Sequence, residues 1–287
     1  AADFETASPF ISGQAGVVAA LRHLLDVHAP KEAYLKVDGR PVIFFWAIDR
    51  VPLAEGQGSA LDAWRAIRQQ VDPDHTSIWI AEGVDIAYQE MFDGHHLYNV
   101  AWASNVGRSL ADWGNRVRQW SASHRQPRFW VATVMPGWND LKTGRSSAYV
   151  RDRENGAFYR ECWDGAIASQ PDWIINTSFN EWIENTYIEP GQAYGSAYLD
   201  LTKEGSDRFR AGVPAAEPTA EPIAEPTAEP TTEPTVEPAA VASALTPDID
   251  PTAAPTDEPV VLALAASAES DPTAEPLQAT SAVSTTA

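Results

Sequence analysis

Basic residues are scarce in this sequence. Lys and Arg number 20 against 40 Asp and Glu, a formal net charge of -20 over 287 residues. Residues 213–287 hold 13 of the acids and no Lys or Arg, which leaves residues 1–212 at -7, with 27 acids against 20 bases. So mild an acidity, with no basic stripe, argues against nucleic acid and anionic membrane as partners. Cysteine is nearly absent: Cys162 stands alone, so no internal disulfide can form, and its helical apolar neighbours read it as core. None of the six His stands in H-E-x-x-H or similar ligand spacing, and no metal or cofactor is expected. His95 and His96 cannot both face one site if they lie on a strand. No glycine-rich phosphate cradle follows a strand pattern. Long hydrophobic runs are missing too, and residues 260–266 (Val-Val-Leu-Ala-Leu-Ala-Ala), an isolated apolar stretch, are far too short to cross a bilayer.

The aromatic residues divide the chain. All 11 Trp and all 8 Tyr precede residue 213, and beyond it there is no aromatic residue, Lys, Arg or Gly. Residues 1–212 therefore read as one folded domain with a sizeable core. In the remainder, Glu-Pro recurs every four residues from Glu217-Pro218 to Glu237-Pro238, with Ala, Thr, Ile or Val between. Proline at that density denies helix and central strand alike, so residues 213–287 are expected to be a disordered, extended acidic Pro/Thr/Ala-rich linker or tail. Stalks of that composition space a catalytic domain from a wall or a second module in exported bacterial proteins. The expectation is a secreted or cell-surface protein, although no signal peptide is visible.

Within residues 1–212, strand-like and helix-like patterns alternate. Residues 1–6 read as the second half of a strand ending in Glu5. Helical spacing follows in Val17, Val18, Leu21, Leu24 and Leu25. Further strands are expected at residues 41–46, at 76–81 ending in Glu82, near 90–93 ending in Phe-Asp-Gly, at 128–134 and at 173–179. Helices are expected around Leu61 to Val71, Leu110 to Trp120 and Tyr159 to Ala166. Strands separated by helices imply parallel βαβ units. Six such units with a shortened start fit an N-terminally truncated (β/α)8 barrel of the TIM type, its last six βα units. Each strand end carries a polar or acidic residue: Glu5, Asp49, Glu82, Asp93, Asn139-Asp140 and Glu181. A carboxylate ring at one mouth is how a barrel builds a sugar site, while any one of these residues also fits a turn or helix cap.

The most informative segment is Ser178-Phe179-Asn180-Glu181-Trp182-Ile183-Glu184, where two carboxylates three apart follow a buried-strand pattern. Breaking a glycosidic bond needs one group to protonate the leaving oxygen and a second to assist attack at the anomeric carbon, and two carboxyls in unlike surroundings can divide that work. The pair alone also fits a capping box or a solvated acidic turn. Asn180 and Trp182 beside it make a sugar-site composition, an amide next to a carboxylate and an indole able to stack on a sugar face.

In series, Gly39-Arg40-Pro41-Val42-Ile43-Phe44-Phe45-Trp46, Phe92-Asp93-Gly94 with Tyr98, Pro136-Gly137-Trp138, Arg153-Glu154-Asn155-Gly156 with Tyr159, and the Asn180 to Glu184 motif resemble glycoside hydrolase family 99, the endo-α-mannosidase type, over most of residues 1–200. The resemblance implies a retaining, endo-acting enzyme on α-mannosides or related α-linked glycans, working without metal. It implies Glu181 as the base on the sugar's own 2-hydroxyl, through an anhydro-sugar intermediate, and Glu184 as general acid and then base. Asn180, Trp182, Tyr98, Glu82 and Glu5 would line the subsites with Asp93 of the carboxylate ring, and Trp46 and Trp138 are candidate stacking platforms. The sequence departs from the family pattern at Ile183, where an imidazole is common, at Asn185, where glycine is common, and at His96, where a phenol is usual. α-Glucosides and decorated mannans therefore stay open as substrates. The resemblance also places two βα units before Ala1, whose absence would leave two unpaired strand edges and an aggregation-prone chain. A non-catalytic glycan-binding relative and a sugar-transferring domain of polysaccharide assembly are the alternative classes.

Overall fold

Six strands of the chain run parallel in one sheet, and their spatial order repeats their order in sequence. A computed structural model describes residues 1–6 and 8–212. The acid-proline repeats, and the tail reading placed on them, lie outside the described residues. Strand β1 (Ala2–Glu5) leads to helix α1 (Gly13–His23), then to β2 (Lys36–Val37) and β3 (Arg40–Trp46). Helix α2 (Ala60–Val71) precedes β4 (Ile78–Glu82), and β5 (Gly94–His96) follows after a short 3-10 turn. Then come α3 (Val106–His124), β6 (Phe129–Val134), the short β7 (Trp138–Asn139) and β8 (Val150–Arg151), α4 (Ala157–Ala168), β9 (Trp173–Asn176) and α5 (Ala197–Arg210). The parallel sheet runs β1-β3-β4-β5-β6-β9, with β2 added antiparallel to β3 and β7-β8 forming a separate hairpin. Sequential parallel pairing of this kind is the (β/α)-barrel arrangement. Among the described residues, β1 and β9 each pair with a single neighbour in that sheet.

Both faces of the sheet are apolar because helices cover the outside while side chains fill the inside. Val42, Ile78, Ile80 and Val131 are buried on the inner face, with Phe44, Phe129, Trp173 and Ile175 against them. The alternate residues face the helices. Phe45, Trp79 and Phe92 pack edge-on or tilted against one another and Trp64 of α2, and Trp130 shares a core with Phe158, Tyr159 and Cys162 of α4. Burial pushes the Cys162 thiol up to about 12, in keeping with its core reading. The two adjacent histidines split as a strand demands: His95 stacks on Trp113 outside, while His96 meets the Phe44 ring inside.

The structure corrects the fourth expected strand. Residues 86–90 form a 3-10 turn, and the strand begins only at Gly94, so Asp93 stands at the amino end of β5, away from the strand ends that carry the site. There Asp93 Oδ2 accepts from Arg68 at 3.1 Å and from the Trp79 N–H at 2.9 Å, and Oδ1 accepts from Arg40 at 3.1 Å. Asp93 is a structural ion-pair partner and does not line a sugar subsite. Gly94 is needed for passage between β4 and β6, since a β-carbon there would lie 2.7 Å from Ile80 Cδ1 and 2.8 Å from the Phe129 carbonyl. The Phe-Asp-Gly motif is therefore a fold element. Helix α5, absent from the expected elements, buries only Tyr198 and Gly205, too thin an apolar face to announce itself.

Candidate active site

Parallel strands of a barrel deliver their last residues to one mouth. Glu5 ends β1, where it pairs in register with Trp46, the last residue of β3. Glu82 ends β4 in register with His96, and Tyr98 follows β5 two residues later. Glu181 and Glu184 sit on the loop after β9. The sequence-expected residues Glu5, Trp46, Glu82, Tyr98, Glu181 and Glu184 thus converge from strand ends, and Asn180 and Trp182 join them on the β9 loop.

The two glutamates have unlike surroundings. Glu181 is exposed, its own N–H bonded to Ser178 Oγ at 2.9 Å. Glu184 is 7% exposed. Its Oε2 accepts from Tyr98 Oη at 3.2 Å and its Oε1 from the Arg145 guanidinium at 3.1 Å. Burial pushes the Glu184 carboxyl up from its ordinary value; the donors Arg145 and Tyr98 pull against that rise and the Glu181 charge adds to it. Tyr98 is half-buried with its ring 6.3 Å from Trp46, and burial followed by the charges of Glu184 and Glu181 raises its phenol. Both carboxylates are therefore felt at one hydroxyl.

Glu82 lies in a cavity of about 400 Å³ walled by Trp46, Asp49, Arg50, Asp85 and Tyr88. Burial pushes its carboxyl up to about 7, against a hydrogen bond from the Ala47 backbone. Asp3, two residues before Glu5 on β1, is raised by burial and then by Glu5, and its charge reaches both Glu82 and Tyr98. Sequence reasoning missed Asp3, although the two-residue spacing to Glu5 placed both on one strand face.

Trp182 stacks on Tyr187 with centroids 3.8 Å apart, donates its indole N–H to Glu189 at 2.9 Å, and stays 47% exposed. Trp138 differs from expectation. It is 5% exposed, stacked beneath Tyr149 within the core, so it supports a wall and offers sugar no open face. Tyr149 in turn accepts from Asn99 Nδ2 at 2.9 Å. Sequence reasoning also missed Tyr149 and gave Arg145 no part at the glutamate pair, since both lie in an irregular loop with no periodic signal; Asp140 stood among the expected strand-end polar residues. Among the described residues no group of three or more His, Cys, Asp and Glu is arranged to hold a metal ion.

A family model described as Glycosyl hydrolase family 99 matches residues 8–210. The chain belongs to glycosyl hydrolase family 99. A family-99 identity agrees with the relatives: the rat protein named glycoprotein endo-alpha-1,2-mannosidase is 32% identical over 116 residues, 39% of this chain and 24% of that protein. The human glycoprotein endo-alpha-1,2-mannosidase-like protein is 27% identical over 154 residues, 48% of this chain and 31% of its own length. The chain thus spans about a quarter to a third of the length of these curated relatives. The solved GH99 endo-alpha-mannosidase from Bacteroides thetaiotaomicron superposes with a TM-score of 0.58 at 22% identity, covering 74% of this chain and 66% of that one, which establishes a shared fold.

The departures from the family-99 motif have distinct structural weights. Asn185, standing where glycine is common, has φ of 54°, a left-handed conformation that glycine adopts freely and asparagine tolerates, so the turn survives the exchange. Ile183 is 45% exposed at the loop surface and changes what that surface offers to a ligand.

Proposed function

We propose that this chain supplies the catalytic pair of a retaining, endo-acting glycoside hydrolase on α-mannosides or related α-linked glycans. The observation that carries this reading is the contrast between Glu181 and Glu184, three residues apart at the mouth: one exposed, one buried between Tyr98 and Arg145. The family membership and the printed names of the mammalian relatives support α-mannoside as the substrate class.

Glu184, which burial keeps protonated to higher pH, acts as the general acid. In the first step Glu181 takes the proton of the 2-hydroxyl, and that oxygen bonds to the anomeric carbon. The glycosidic bond breaks, and Glu184 gives its proton to the departing oxygen. In the second step water attacks the anomeric carbon of the 1,2-anhydro sugar as Glu184 takes a proton from the water. The carbon–O2 bond breaks, and O2 recovers its proton from Glu181. Two inversions leave the configuration retained. Glu82, Glu5, Trp46, Asn180 and Trp182 contact the sugars on either side of the cleaved bond. From the acid-proline composition of residues 213–287 we infer that the reaction takes place at or beyond the cell surface.

The test is hydrolysis of α-mannan and of α-1,2- and α-1,3-linked manno- and gluco-oligosaccharides by the full natural protein beside Glu181→Gln and Glu184→Gln. The expected outcome is endo-cleavage by the parent with a loss of about 10²–10⁴-fold in each variant. Glycan binding without product would replace the hydrolase reading with that of a binding module.

A further inference from the structure

Arg145 reaches the candidate acid from outside the catalytic motif. The loop between β7 and β8 that carries it is tied at its base, where the Tyr149 N–H donates to Asp140 Oδ1 at 2.8 Å and the Tyr149 ring rests on Trp138. From this strap the guanidinium meets Glu184 Oε1 at 3.1 Å and stands 3.7 Å from Asp140 Oδ2.

A guanidinium can only donate hydrogen bonds, so an oxygen facing it must accept and cannot carry a proton directed toward it. Tyr98 Oη, on the other oxygen, can donate or accept. We propose that Arg145 is a positioning residue for the reaction, reserving Oε1 of Glu184 as an acceptor and confining the acidic proton to Oε2, beside Tyr98. This rests on Glu184 being the general acid.

The titratable and charged groups facing Glu184 are Tyr98 from the segment after β5, Arg145, Asp140 and Tyr149 from the β7–β8 strap, and Glu181 from its own loop. Arg145 is the cation among them. Burial and Glu181 hold the proton on Glu184; Arg145 works against them and so sets the highest pH at which the acid is still loaded. Asp140 offsets part of that charge, and the 54% exposure of the Arg145 side chain screens it further.

The experiment compares the full protein with Arg145→Gln and Arg145→Lys, following the Glu184 carboxyl by carbon-13 NMR titration without ligand, with Glu184→Gln assigning the signal. The alkaline limb of kcat/KM is measured in parallel. In Arg145→Gln the titration midpoint and the alkaline limb are expected to rise together by about one pH unit, with kcat down about tenfold and KM nearly unchanged. Arg145→Lys restores part of the shift. A merely structural role would lower activity without moving the limb. An unmoved or lowered midpoint in Arg145→Gln, with the variant folded, overturns the proposal. A raised midpoint in a protein that cleaves no glycan upholds the proton placement and overturns the hydrolase reading instead.

Discussion

At the end of β4, Glu82 holds a carboxyl that its cavity prefers neutral. Its folded value of about 7 exceeds the ordinary 4.5, so the folded state binds this proton more tightly than the unfolded state. The stability it contributes is present below the ordinary value and is lost as pH rises through 7. Glu82→Gln, a neutral isostere, should therefore melt a few degrees above the parent at about pH 8 and close to it at about pH 5, as scanning calorimetry would show. Asp93 serves as an ion-pair partner at the other end of the sheet. Arg68 is 2% exposed and is paired with Asp93 at 3.1 Å and Asp72 at 3.3 Å. Asp93→Ala should cost about 3 kcal/mol in denaturant unfolding, because it strips a buried guanidinium of one partner. Sugar KM in the folded fraction should not change. A rise in KM would return Asp93 to the site.

Among the elements, a side chain from before α4 clamps the backbone of the loop that presents Glu181 and Glu184. Arg153 donates to the carbonyls of Asn185 at 3.0 Å and Tyr187 at 2.8 Å, and its guanidinium lies 4.3 Å from the ring centroids of both Tyr194 and Tyr198. Gly137 is part of the same clamp, since a β-carbon there would fall 2.6 Å from Arg153 Cγ. Two motifs read separately along the chain, Pro136-Gly137-Trp138 and Arg153-Glu154-Asn155-Gly156, thus serve one purpose. Arg153→Met should quicken amide hydrogen exchange across residues 184–188 by about tenfold or more, through loss of the two carbonyl partners. Helices α3 and α4 touch where Gly107 meets Gly165, and a β-carbon at Gly165 would lie 2.6 Å from Gly107 Cα. Gly165→Ala should destabilise the fold by about 1–3 kcal/mol in chemical denaturation. Elements with a long apolar period were legible in the sequence: α2 shows Trp64 and Ile67, and α3 shows Leu110, Trp113 and Val117. β5 was misplaced because Gly-His-His has no strand pattern, and two-residue β7 and β8 are too short to show a period at all.

For the whole molecule, net charge governs how closely copies approach one another. The chain carries -20 at pH 7 and is near neutral at its isoelectric point of about 4.5. Like charge keeps copies of the chain apart, and that repulsion fades toward the isoelectric point. Light scattering should therefore show greatest self-association near pH 4.5, falling steadily toward pH 7. Association that grows as the charge grows would overturn this expectation.

From the sequence alone came the alternation of strand and helix, the family resemblance and the Glu181–Glu184 pair. Those rest on local period and short motifs, which a linear chain displays directly. The tertiary structure alone decided which end of its strand Asp93 occupies, that Trp138 is roofed by Tyr149, and which glutamate is buried. Glu184 differs from Glu181 because Tyr98, 86 residues away, and Arg145, 39 residues away, are brought to its two oxygens. Such meetings follow from the closure of adjacent parallel strands and the loops above them, and no periodicity along the chain encodes a distance across it.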